Sequence, residues 1–195
     1  VSATFARNRR SLQRDRPRVI DKYELWKPED IGSTLQKWAT HYPNYVRVTT
    51  AQEAYGLPPA GSAHDCPYDQ GEGCLQYVMT IQDYPAHDET AAKRLPAVLW
   101  SGELHGNERV GPTAVLEAAN LLLQAASCEA LGNEEPTLAA TCREDLYDYG
   151  IDDVDRQWLA RLVATRKIVV VPTANAQGYY RDTREEDEIA PNRDF

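Results

Sequence analysis

Ile31, Leu35, Trp38, Ala39 and Tyr42 recur at the three- and four-residue spacing of one helix face, and Pro43 ends the pattern. The spacing predicts an amphipathic helix packed on apolar neighbours. Val46-Arg47-Val48 alternates as the opening of a strand does, and from Tyr55 to Gly73 the chain reads as loop, with Pro58-Pro59, Gly61, Pro67, Gly71 and Gly73. Leu75 to Ile81 predicts a strand closed by Pro85, and Pro96 to Leu104 predicts another. Between residues 112 and 126, Val115, Leu116, Ala119, Leu122 and Leu123 share a helical face. Pro112 suits the start of that helix, where its missing N–H is no loss. An acidic stretch holding Cys128 and Cys142 reads as a long loop. Val154, Trp158, Leu159, Leu162 and Val163 mark a further helix, entered through Asp152-Asp153 at the end where negative charge is favourable. It leads into Ile168-Val169-Val170-Val171, a β-branched run of the kind found in strands buried on both faces.

Helices alternating with apolar strands predict an α/β fold with a mixed, largely parallel central sheet and helices on both faces. Sites on such sheets lie at the carboxyl ends of strands. Two polar segments occupy that position. His105-Gly106-Asn107-Glu108 follows the 97–104 strand and precedes Gly111-Pro112, so an imidazole and a carboxylate three residues apart are offered to one small volume. Zinc accepts that pair, and its catalytic sites use three protein ligands plus a water. The second segment runs from Asn175 to Arg193 after the 168–172 strand and holds Arg181, Arg184, Asn192 and Arg193. A guanidinium there presents a planar fork to the two oxygens of a carboxylate.

Composition narrows the classes. The chain has 195 residues and a formal net charge of −9, but residues 1–18 carry six arginines against Asp15 alone. We read residues 1–22 as a basic flexible extension or propeptide remnant, and residues 23–195 as the folded part. The acidic body argues against nucleic-acid binding, and the arm lacks interleaved aromatic residues. No run approaches the roughly 20 apolar residues that span a bilayer, so no membrane insertion is expected. The first residues lack the apolar centre of a signal peptide and begin at Val1, so processing ahead of them is expected. Cys66 with Cys74 and Cys128 with Cys142 form two close pairs without zinc-ribbon spacing. Two local disulfides imply an oxidising compartment and a secreted or extracellular protein; the competing reading is four free thiols in a cytosolic one.

Taken together, the two segments give the chain its resemblance to the amino-terminal part of a zinc metallocarboxypeptidase of the carboxypeptidase A type, over about Tyr23 to Phe195. In that family a strand leads to His-x-x-Glu and a helix opened by Gly-Pro. A later strand leads to an Asn-x-x-Gly-Tyr turn, an Arg and then Asn-Arg. His105, Glu108, Gly111-Pro112, Asn175, Gly178-Tyr179 and Asn192-Arg193 match in that order. Ala176-Gln177 stands where Pro-Asp is common, Pro191 where an aliphatic residue is usual, and Glu103 adds a carboxylate near the pair.

The resemblance implies a carboxypeptidase-like fold and hydrolysis of the C-terminal peptide bond of peptides or proteins, with one Zn2+ per complete active site. By the same resemblance, His105 and Glu108 are zinc ligands and Asn192 and Arg193 hold the substrate's terminal carboxylate. Arg184 is preferred as the group that polarises the scissile carbonyl, with Arg181 open as the other choice. The family's third zinc ligand, general-base Glu and capping Tyr lie beyond the Asn-Arg motif, so a carboxyl-terminal remainder of the same catalytic domain is the expected partner. Two other readings share His105 and Glu108: a catalytically inactive carboxypeptidase-like binding or structural subunit, and an acylamino-acid deacylase resembling aspartoacylase. In the latter the half-site lies close to the amino terminus, whereas here about a hundred residues precede it. His41, His64 and His87 are expected at the surface.

Overall fold

The computed structural model describes residues 24–69, 71, 73–132 and 135–189; the basic arm 1–22 and Asn192-Arg193 lie outside them. Four short apolar runs form one sheet: β1 (Val46–Thr50), β2 (Tyr77–Ile81), β3 (Ala97–Ser101) and β4 (Lys167–Val171), in the order β1-β2-β4-β3. Register places Val46, Ile81, Ile168 and Val98 in one cross-strand row and Val48, Met79, Val170 and Trp100 in the next. These rows share a face. Val46, Met79, Ile81, Ile168 and Val170 are buried there beneath the helices.

The α/β class and the mixed sheet agree with expectation, but two details differ. β2 runs antiparallel to both β1 and β4, and only β3 and β4 are parallel, so the described sheet is not largely parallel. A parallel neighbour needs a crossover, usually a helix of a dozen residues or more. The link from β1 to β2 holds only the five-residue α2 (Ala51–Tyr55) and a loop closed by the Cys66–Cys74 disulfide. Val169 and Val171 are half-buried and Leu99 is 67% exposed, so the run 168–171 is fully buried on one face only. β3 is an edge strand, and Val98 is also exposed.

Helix α1 (Pro28–His41) buries Ile31 and Leu35, with Pro28 at its first turn and Glu29 and Asp30 beside the N-terminal dipole. After the four-residue α3 (Glu89–Ala92) and β3 comes α4 (Val110–Leu131). Its Leu116, Ala119, Leu122, Leu123 and Ala126 join the sheet core. α4 is also long and apolar enough to cross a membrane by length and composition, contrary to the expectation that no such segment exists. Here it packs on two sides, because Ala125 and Cys128 face α5 (Pro136–Asp148).

The stretch expected as a loop around Cys128 and Cys142 is therefore largely helical. Its breaker residues are real signals with a shorter reach: Gly132 caps α4, and Pro136 stands at the start of α5. The Cys128–Cys142 disulfide staples the two helices with Cα atoms 5.8 Å apart. Helix α6 (Asp153–Thr165) starts as expected at Asp152, whose carboxylate accepts from the Val154 and Asp155 N–H groups. It buries Val163 against the core and feeds β4. The last described helix, α7 (Ala176–Arg181), follows β4.

Candidate active site

Both segments singled out in the sequence leave the sheet side by side, because β3 and β4 are parallel neighbours. Their turns approach through glycines. A Cβ on Gly111 would overlap the Gly102 carbonyl, and one on Gly106 would collide with the Gly178 backbone and the Thr183 carbonyl. The Gly106 N–H donates to the Arg184 carbonyl at 3.3 Å, tying the turn after β3 to the turn after α7.

On the first turn, His105 is 7% exposed. Its Nδ1 stands 2.9 Å from Glu108 Oε1, and its Nε2 is buried without a hydrogen-bond partner. The Glu108 N–H closes the turn on the His105 carbonyl at 2.9 Å, which brings the two side chains to one point. Glu108 itself is exposed and lies 3.7 Å from Arg184 Nη1. Arg184 belongs to the segment that, with Arg181 and Asp187, bounds an open cavity of about 500 Å3.

Arg181 lines the same cavity, but its guanidinium is engaged by carboxylates. Its Nε and Nη2 form a fork on Asp65, at 2.7 and 2.8 Å, and its Nη1 lies 3.3 Å from Asp187. Asn175 is buried and acts as the N-cap of α7: its Oδ1 accepts from the Gly178 N–H at 2.8 Å, and its Nδ2 donates to the Arg184 carbonyl at 3.3 Å. Thus His105, Glu108 and Arg184 meet, whereas Arg181 and Asn175 are engaged in holding the loops. His41 and His64 are exposed, and His87 bonds the Ala164 carbonyl at 2.8 Å.

Glu103 lies beneath this surface, 2% exposed, with neither carboxyl oxygen in a hydrogen bond of ordinary geometry. Burial pushes its carboxyl up to about 8; nearby Glu108 and Glu186 act in the same direction, and the Asn175 N–H and Arg109 oppose. Two further residues carried no signal in the sequence. Arg109 lies over the Tyr179 ring at 4.4 Å and donates to the Tyr179 carbonyl at 3.2 Å, bracing α7 against the start of α4. Asp65 reaches Arg181 across 116 positions of sequence, a distance at which no spacing pattern can report a contact.

The donor set fits part of a metal site. His105 Nδ1 facing the exposed Glu108 carboxylate is the kind of donor pair zinc uses, and the buried Nε2 points away from that pair. Among the described residues, however, no group of three His, Cys, Asp or Glu side chains could hold a metal ion.

No known protein family matches the chain, and no curated protein does. Solved structures do. Thrombin-activatable fibrinolysis inhibitor aligns at 15% identity over 91% of this chain and 36% of its own, with a TM-score of 0.49. The bovine form, in complex with tick carboxypeptidase inhibitor, aligns at 15% identity over 80% and 33%, with a TM-score of 0.39. Carboxypeptidase A from Helicoverpa armigera aligns at 17% identity over 87% and 31%, with a TM-score of 0.41. The chain spans about a third of the length of these structures.

Proposed function

We propose that this chain carries one side of a zinc metallocarboxypeptidase active site, which hydrolyses the C-terminal peptide bond of peptides or proteins. The observation that carries the reading is the meeting of His105, Glu108 and Arg184 at the carboxyl ends of two parallel strands. His105 and Glu108 would hold two of the metal's positions. When bound, zinc supplies Lewis acidity toward a carbonyl and brings the pKa of a bound water to about 7. Arg184 is free of the clamp that engages Arg181, and it orients and polarises the scissile carbonyl. Arg193, with Asn192, receives the substrate's terminal carboxylate.

The third ligand and the proton-transferring Glu are assigned to a carboxyl-terminal remainder of the same catalytic domain. The exposed edge of β3 supports this, since uncharged apolar edges invite strand pairing. The two disulfides favour an oxidising, extracellular setting.

Elemental analysis of the complete protein and its His105→Ala variant tests the assignment. The parent should retain one zinc ion and hydrolyse a free-acid peptide, and the variant should lose both. Full zinc occupancy in the variant refutes it. One observation favours a second reading, a catalytically inactive carboxypeptidase-like subunit: only two candidate metal donors are brought together among the described residues. Absence of turnover by a complete, zinc-loaded protein would select it.

A further inference from the structure

We propose that Asp65 is a positioning residue for Arg184: it holds the Arg181 guanidinium and, through Arg181 and Gln177, clamps the 182–189 turn that presents Arg184 to Glu108. The inference rests on the reading of Arg184 as the carbonyl-polarising group.

Asp65 is 5% exposed and immediately precedes Cys66 of the Cys66–Cys74 disulfide. A carboxylate in such a place is costly unless every oxygen is bonded. Here it accepts from the Ser62 N–H at 2.8 Å, the Ser62 hydroxyl at 3.0 Å, the Arg181 fork, and Gln177 Nε2 at 3.4 Å. Gly61, at φ +77, leaves room for this arrangement, since a Cβ there would strike Asp65 and Gln177.

The two residues gripped by Asp65 both reach on to one acceptor. Arg181 Nη1 and Gln177 Nε2 donate to Asp187 Oδ1 at 3.3 and 3.1 Å. Asp187 and Glu188 hold φ of 45° and 67°, a left-handed conformation that is uncommon outside glycine and better tolerated by Asp than by Glu. The turn is closed by paired backbone bonds between Glu186 and Ile189. Arg184 is thus held between two anchors. On the inner side Asn175 and Gly106 take its carbonyl; on the outer side the Asp65 clamp takes Asp187. The two anchors hold the backbone from which its guanidinium reaches Glu108.

In the complete protein, Asp65→Asn keeps the shape and removes the charged fork. It should lower kcat about tenfold on a free-acid peptide while KM stays within about twofold, the signature of an interaction made in the transition state. The same change in an Arg184→Gln background should cost nothing further, because its effect passes through Arg184. Amide hydrogen exchange gives a readout independent of turnover: residues 182–189 should exchange faster in Asp65→Asn while β2 and β4 are unchanged. Arg181→Gln, altered at the half-exposed end of the fork, should behave alike and serves where Asp65→Asn folds poorly.

A loss of equal size in the Arg184→Gln background, or unchanged exchange in 182–189, overturns the proposal. If Arg184→Gln itself leaves kcat intact, the functional reading of Arg184 fails, and the exchange measurement still decides whether the clamp exists.

Discussion

Gly178→Ala sets two effects of opposite sign against each other. Gly178 lies in the first turn of α7 without a left-handed φ, so an alanine fits the backbone, and helix propensity alone favours it by up to about 1 kcal/mol. Its Cβ, however, would stand 2.6 Å from both Nδ2 and Oδ1 of Asn175. Asn175 is 1% exposed and has no open space to enter. If its side chain leaves, α7 loses its N-cap, typically about 1 kcal/mol, and the bond to the Arg184 carbonyl, about 0.5–1.5 kcal/mol. If it stays, the overpacking costs about 1–3 kcal/mol.

Either route matches or exceeds the gain in propensity, so the net expectation is a destabilisation of about 0.5–2 kcal/mol, or about 1–8 °C in Tm for a chain of this size. Thermal unfolding followed by circular dichroism reads it directly. The decisive comparison is with Asn175→Ala. In that background the obstructing side chain is gone, and Gly178→Ala should reverse sign and raise Tm. A higher Tm for Gly178→Ala in the parent would refute the reasoning, since it would mean that Asn175 yields without cost and holds neither the helix nor Arg184.

Three further expectations follow from the same contacts. Arg181, with help from Ser62 and Gln177 and against the effect of burial, holds the Asp65 carboxyl well below the usual carboxylate range. Its contribution is therefore full above the unfolded pKa near 3.9 and lost as pH falls through the folded one, so the Tm gap between parent and Asp65→Asn should shrink as pH drops from 5 to 2; a constant gap would contradict the assignment. Replacing Cys128 and Cys142 together by alanine should cost about 3 kcal/mol in urea unfolding, the value for a loop of about 15 residues, and non-reducing peptide mapping should recover both pairs linked. In the complete protein, Arg193→Ala should reduce turnover of a free-acid peptide by the equivalent of about 2–5 kcal/mol and spare its amide, and equal losses would show that Arg193 does not read the carboxylate.

His105 and Glu108 were legible because the property that pairs them, three-residue spacing at a strand end, is local. The different partners of Arg181 and Arg184 were not. Both follow the same strand, and Arg181 is held by Asp65, from a loop whose glycines and prolines reveal only that it turns. Helix α5 was hidden for a related reason: Gly132 and Pro136 do interrupt the helical pattern, but a break of four residues between two helices looks, in sequence, like the start of a long loop. In β4, four consecutive β-branched residues fit burial on both faces, while the register shows that only Ile168 and Val170 face the core. A one-sided sheet and a two-sided one can share such a run, and alternation was absent to tell them apart.

The site's construction also explains why so much of it falls outside pattern reading. Patterns report apolar faces, whereas this site is held by backbone meeting backbone. Gly106 meets Gly178, Gly102 meets Gly111, and carbonyls of Tyr179 and Arg184 are taken by Arg109 and Asn175. Such contacts tolerate no added atom, and they fix the backbone from which Arg184 projects, because backbone has no rotamer to change. The left-handed Asp187 and Glu188 are the complement of that rigidity: a turn forced into this shape persists only where its surroundings over-determine it. The surroundings here are Arg181 and Gln177 on Asp187, each anchored in turn by one buried carboxylate next to a disulfide-bonded cysteine. The placement of Arg184 is therefore a property of three segments far apart in the chain, 61–74, 105–109 and 175–189, and not of the motif in which it occurs.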